Sequence, residues 1–98
     1  MVELKINLES PEAAANLVMV LIELGTAVDK YPTWPECNIK RSAIVLEEAG
    51  ELIREANLLD EGRGSISALK TECIQTAAMS LRMLNALSKD DHARGNNR

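Results

Sequence analysis

Polar and apolar positions alternate over residues 2–9, a period-two pattern that predicts a short extended arm. The pattern then changes. Ser10-Pro11-Glu12 supplies a capping hydroxyl, a proline suited to a first helical turn and an acid near the positive end of the helix dipole. A helix is predicted from Pro11 to about Val28, with Ala14, Leu17, Val18, Leu21 and Leu24 as its apolar stripe. Pro32 and Pro35 break the regular pattern, and the loop from Tyr31 to Glu36 holds both aromatic residues of the chain, Tyr31 and Trp34. Asn38 is the expected cap of a second helix running to about Leu59. Residues 60–65 form a turn, and a third helix starts near Ser65 or Ser67 and runs to about Leu87. Residues 88–98 are polar, a composition that predicts a flexible tail. The expected fold is all-α: one domain over residues 1–98, a bundle of three main helices.

Composition sharpens this picture. Apolar residues make up 46% of the 98 residues but aromatics only 2%, with no Phe, so the core must be aliphatic and thin. Such a chain is expected to bury its remaining apolar surface by oligomerisation. A net charge of −4 argues against a general nucleic-acid binder. No signal peptide and no membrane-spanning run are read from the chain. Cys37 and Cys73 form no CxxC pattern and are expected as buried or half-buried thiols of a cytoplasmic protein. The single histidine, His92, lies in the polar tail, which disfavours a histidine-based catalytic or zinc site.

Candidate chemistry lies in the acids. At about 100° per residue, Val45, Ala49, Leu52, Ile53 and Ala56 share one face of the second helix. Glu47, Glu48, Glu51 and Glu55 share another, one turn apart, where like charges repel. In the third helix Ile74, Ala77, Ala78, Leu81 and Leu84 form one face, and Glu72 stands among apolar neighbours on another. A carboxylate in such surroundings needs a partner. Glu48-x-x-Glu51 facing Glu72-x-x-Gln75 would make a cluster of four oxygen ligands, suited to Mg²⁺ or Mn²⁺ and to the phosphates such ions carry.

These residues resemble the MazG-like all-α nucleoside triphosphate pyrophosphohydrolases, whose pattern is EExxE on one helix and ExxD on the next. The first motif reads Glu47-Glu48-Ala49-Gly50-Glu51, within the segment Ala43 to Leu52. The second reads Glu72-Cys73-Ile74-Gln75, with Gln in place of the usual Asp. The stretch from Gln75 to Arg82 looks like small phage or mobile-element members. The resemblance spans about residues 14–88. It implies Mg²⁺-dependent cleavage of the α–β phosphoanhydride of (d)NTPs to monophosphate and pyrophosphate, with Mn²⁺ as a substitute ion. It implies Glu48, Glu51, Glu72 and position 75 as metal ligands, Glu47 as support, and a homodimer or homotetramer in which packing chains complete a four-helix bundle. Gln75 can ligate only through a neutral amide oxygen, which takes the cluster from −4 to −3 and lowers its expected affinity for the ion.

Either Glu47 or Glu51 could orient or deprotonate an attacking water. Lys40, Arg41, Arg82 and Lys89 are candidates for the phosphates. Trp34 is a candidate stacking surface for the base, with Tyr31 second, and Met79 and Met83 read as core. The alternative reading is a non-catalytic helical interaction module with a degenerate metal site. A metal-storage or metal-sensing bundle is a weaker third. Base and sugar preference, the number of ions, dimer against tetramer and physiological role have no signature in the residues.

Overall fold

The computed structural model describes residues 10–95, and the predicted arm at 2–9 and the last three residues lie outside them. The elements are three helices: α1 (Pro11–Lys30), α2 (Asn38–Asp60) and α3 (Ile66–Ala93). Local chemistry accounts for their ends. Ser10 caps α1, its Oγ accepting from the Ala13 N–H at 3.2 Å, and Ser65 does the same for Ala68 at 3.0 Å at the start of α3. The turn after α2 is a Schellman arrangement. The Arg63 N–H donates to Leu58 O at 2.8 Å, that of Gly62 donates to Leu59 O at 3.0 Å, and Gly62 takes φ +77°. Gly64 is required for another reason: a Cβ there would lie 2.7 Å from the Leu59 nitrogen.

Contacts between Arg41 and Asp90 at one end, and Glu51 and Glu72 nearer the other, set α2 and α3 antiparallel. α1 packs on α3 and not on α2, so α3 is the central helix and an open groove remains between α1 and α2.

Several expectations need correction. The second helix is capped at Cys37, without a side-chain hydrogen bond. Asn38 is its first residue and accepts from Arg41 instead. α3 continues to Ala93, well past Leu87, because Asp90 is held by Arg41. Residues 88–93 are therefore helix and not tail. Of the predicted stripe of α1 only Leu24 is half-buried, on a side shared with Val20 and Ala27; Leu17, Val18 and Leu21 are 42%, 54% and 50% exposed. A helix apolar nearly all round offers two stripes, and periodicity alone does not choose between them. α1 is also long and apolar enough to cross a membrane, with a mean hydropathy of 1.4 over its most apolar window, contrary to the reading that no such run exists. On α2, Ile53 is exposed. On α3, Ala77 and Leu84 are exposed, and the buried apolar positions are Ala78 and Met79. Both cysteines are free, as expected, but exposed and not buried.

Among the described residues, the buried polar ones are Arg41 and Arg82. Arg41 donates from Nε to Pro35 O at 2.6 Å, and from Nη1 to Asn38 Oδ1 at 2.9 Å and Asp90 Oδ2 at 2.7 Å. It is a clamp joining the proline loop, the start of α2 and the end of α3, and it is not free to meet phosphate. The Arg41 guanidinium holds the Asp90 carboxyl below its usual range. Stability from this pair is present at neutral pH and is lost as pH falls through that lowered value. Arg41→Ala is expected to lower Tm by roughly 5–10 °C, because it removes a buried side chain and the three hydrogen bonds that join the loop, α2 and α3. Calorimetry reads the stability loss, and hydrogen exchange should show the last two turns of α3 losing protection.

Candidate metal centre and groove

α2 and α3 bring three carboxylates together. One oxygen from each of Glu48, Glu51 and Glu72 lies within 4.8 Å of the other two. The mechanism is helical register: Glu48 and Glu51 stand one turn apart on α2 and face α3, where Glu72 meets them. All three are half-buried. Oε2 of Glu48 and Oε2 of Glu72 are shielded from solvent and have no hydrogen-bond partner. Burial raises the Glu48 carboxyl above its usual range, helped by the charges of Glu51, Glu72, Glu47 and Glu23. Burial also raises that of Glu72, with the neighbouring carboxylates of Glu51 and Glu55 adding to it and Arg54 opposing.

Beside this cluster runs the groove between α1 and α2, about 940 Å³ in volume. Glu47, Glu48 and Gln75 line its acidic end; Trp34 and Arg82 line the other. Glu47 is exposed on the wall. Met79 is buried as expected and also forms part of the floor. Arg82, a candidate for the phosphates, is 8% exposed. Its Nη2 donates to Tyr31 O at 2.7 Å, and its guanidinium lies 4.6 Å from the centre of the Trp34 ring. Trp34 is half-buried, with Nε1 shielded and without a hydrogen-bond partner.

Two candidates lie elsewhere. Lys40 is exposed and does not line the groove, and Lys89 lines a smaller cavity on the far side of Trp34 and Arg82. Two residues were missed. Glu23 of α1 reaches the groove and acts electrostatically on Glu48; its signal was available, as the lone acid inside the apolar run of residues 17–24. Lys30 also lines the groove, its Nζ 5.5 Å from the centre of the Tyr31 ring.

The donor set suits a hard divalent cation. All three atoms are carboxylate oxygens, two carboxylates hold an oxygen with no hydrogen bond, and no histidine or thiol is among them. Glu48, Glu51 and Glu72 would hold the ion, with Gln75 on the adjoining wall.

No protein-family model matches the chain, and neither curated proteins nor solved structures show a match to it.

The raised carboxyls carry a sign. Their protonation favours the fold, so the contribution of these two carboxyls to stability is present below the ordinary carboxylate range and is lost as pH rises through the raised values. Without divalent cations, Tm should therefore rise as pH falls from 7.5 toward 5. Glu72→Gln should raise Tm at pH 7.5 by about 2–4 °C by removing like-charge repulsion. Adding Mg²⁺ should raise the Tm of the wild type and leave that of Glu72→Gln where it was, which a thermal shift series measures.

Proposed function

We propose that this protein is a Mg²⁺-dependent nucleoside triphosphate pyrophosphohydrolase of the MazG-like kind, cleaving (d)NTPs to monophosphate and pyrophosphate. The observation that carries this reading is the carboxylate cluster: three acids from two helices within 4.8 Å, two of them with a shielded, unpartnered oxygen, beside a groove of about 940 Å³ that Glu48 lines. The groove volume falls within the range of small-molecule sites. A divalent cation bound there would acidify a water and offset charge on phosphate oxygens, the two needs of phosphoanhydride hydrolysis. Mn²⁺ could substitute for Mg²⁺.

The chain's own residues then divide the work. Glu48, Glu51 and Glu72 hold the ion, and the neutral Gln75 adds an oxygen without charge. Glu47, exposed on the groove wall and outside the close cluster, would take a proton from the attacking water through its carboxylate. Trp34 supplies aromatic surface to the base at the other end. Its two exposed, unpaired cysteines suit a reducing cytoplasm.

We also propose that the chain works as a homodimer or homotetramer, with α1 covered and a four-helix bundle completed between copies. α1 has no buried residue over its 20 positions. Leu17, Val18, Met19, Leu21 and Ile22 are each about half exposed. Covering them would contribute about 4–8 kcal/mol per protomer, at 1.5–3 kcal/mol for a fully buried side chain. The same face favours a second reading, a helical interaction module with a degenerate metal site.

Two measurements test these readings. Purified protein with Mg²⁺ should release pyrophosphate from at least one NTP or dNTP, and Glu48→Gln should lower the rate at least about 100-fold. Absence of release by the wild type from every substrate would leave the interaction module ahead. Sedimentation should show an oligomer that Leu21→Glu converts to monomer; an unchanged species would exclude this face as the contact.

A further inference from the structure

We infer that the smaller cavity on the far side of Trp34 is a binding site for a small organic monoanion, a carboxylate carried on a compact apolar body. The site stands apart from the nucleotide reading, whose ion and phosphates belong to the groove. The cavity has a volume of about 320 Å³, at the lower end of the range for small-molecule sites. Leu24 and Val28 of α1, Pro32 of the loop and Ala86 of α3 supply its apolar lining.

Its polar lining is unbalanced. Three cations, Arg41, Arg82 and Lys89, line it with one carboxylate, Asp90. Asp90 is committed to Arg41 at 2.7 Å. Arg82 and Lys89 form no ion pair among the described residues. Arg41 and Arg82 are only 3% and 8% exposed, so two guanidinium groups are more than nine-tenths buried with one counter-charge between them. A buried charge without a counter-ion is costly, and a bound monoanion supplies the missing one.

Both arginines also keep donors in reserve. Arg41 hydrogen-bonds through Nε and Nη1, and Arg82 through Nη2. Arg41 Nη2 and Arg82 Nε and Nη1 make no hydrogen bond among the described residues, yet they are not shielded from solvent. Bracing the fold and holding an anion therefore fall to different nitrogens of the same side chains. A guanidinium is weakly hydrated, and its planar fork matches a carboxylate. Lys89 is exposed, belongs to neither brace and adds a third cation. Trp34, the sole tryptophan, lines the cavity and reports on its contents.

The test is titration of the full chain with benzoate, read by calorimetry and by Trp34 fluorescence, beside benzamide as the neutral isostere. Arg41 and Arg82 are left intact, because both brace the fold. Benzoate should bind at least about tenfold more tightly than benzamide. Lys89→Glu should weaken benzoate binding at least about tenfold with Tm unchanged, and Ala86→Leu, which adds bulk to the lining, should abolish it. Lys70→Gln, which lines neither cavity, should match the wild type. Failure of the wild type to bind benzoate at about 10 mM, or equal affinity for benzamide, would overturn the assignment. Unchanged benzoate affinity in both Lys89→Glu and Ala86→Leu would overturn it as well.

Discussion

Two buried guanidinium groups hold this fold together. Only Ala78 and Met79 are buried apolar residues among those described, too few to define how three helices sit. Arg41 and Arg82 supply that definition through hydrogen bonds to acceptors far away in sequence. Arg41 ties the proline loop and the start of α2 to Asp90 near the end of α3. Arg82 ties the end of α1 to the middle of α3 through the Tyr31 carbonyl. Arginine suits position 41 because its fork of donors satisfies three acceptors at once, and position 82 because its plane stacks on Trp34 while it donates to the Tyr31 carbonyl. The loop from Tyr31 to Cys37 is therefore a braced strut, and it sets the width of the groove beside it.

Against that brace works an electrostatic conflict. Glu48, Glu51 and Glu72 are pressed together at the α2–α3 contact, with Glu23, Glu47 and Glu55 nearby and Arg54 as the one opposing charge acting on Glu72. Shielded carboxylate oxygens without donors disfavour the fold near neutral pH. A local feature that opposes stability is the kind of departure expected where a ligand supplies the missing charge. This is why the cluster, and not the size of the groove, carries the functional reading. The same opposition orders the groove, with acids along one stretch and Lys30, Arg82 and the aromatics along another.

α1 is a second unresolved demand. It offers apolar side chains on two sides, and one helix, α3, covers only one of them. The exposed stripe from Leu17 to Ile22 lies on the helix that also forms a groove wall through Glu23 and Lys30. A partner that covered the stripe would also fix the helix that frames the groove.

Much of the helical frame was legible in the residues. Ser10, Pro11, Ser65 and Gly62 act through their own backbone neighbours, so their effect can be read locally. The convergence of Glu48, Glu51 and Glu72 followed from one-turn spacing on two helices joined by a short turn, which leaves few ways to face. The roles of Arg41, Arg82 and Asp90 were not legible, because their partners lie 49 and 51 residues away. Such pairs leave no periodic trace, and a basic side chain at a helix end looks the same whether it is solvated or buried. The exposed side of α1, the helical end of α3, and the meeting of Glu23 and Lys30 at the groove were hidden for the same reason. The sequence by itself determined where the helices lie and which acids they can present. Only the tertiary structure decided which charges became braces, which stayed available to a ligand and which apolar stripe was left uncovered, because those outcomes depend on packing between distant segments.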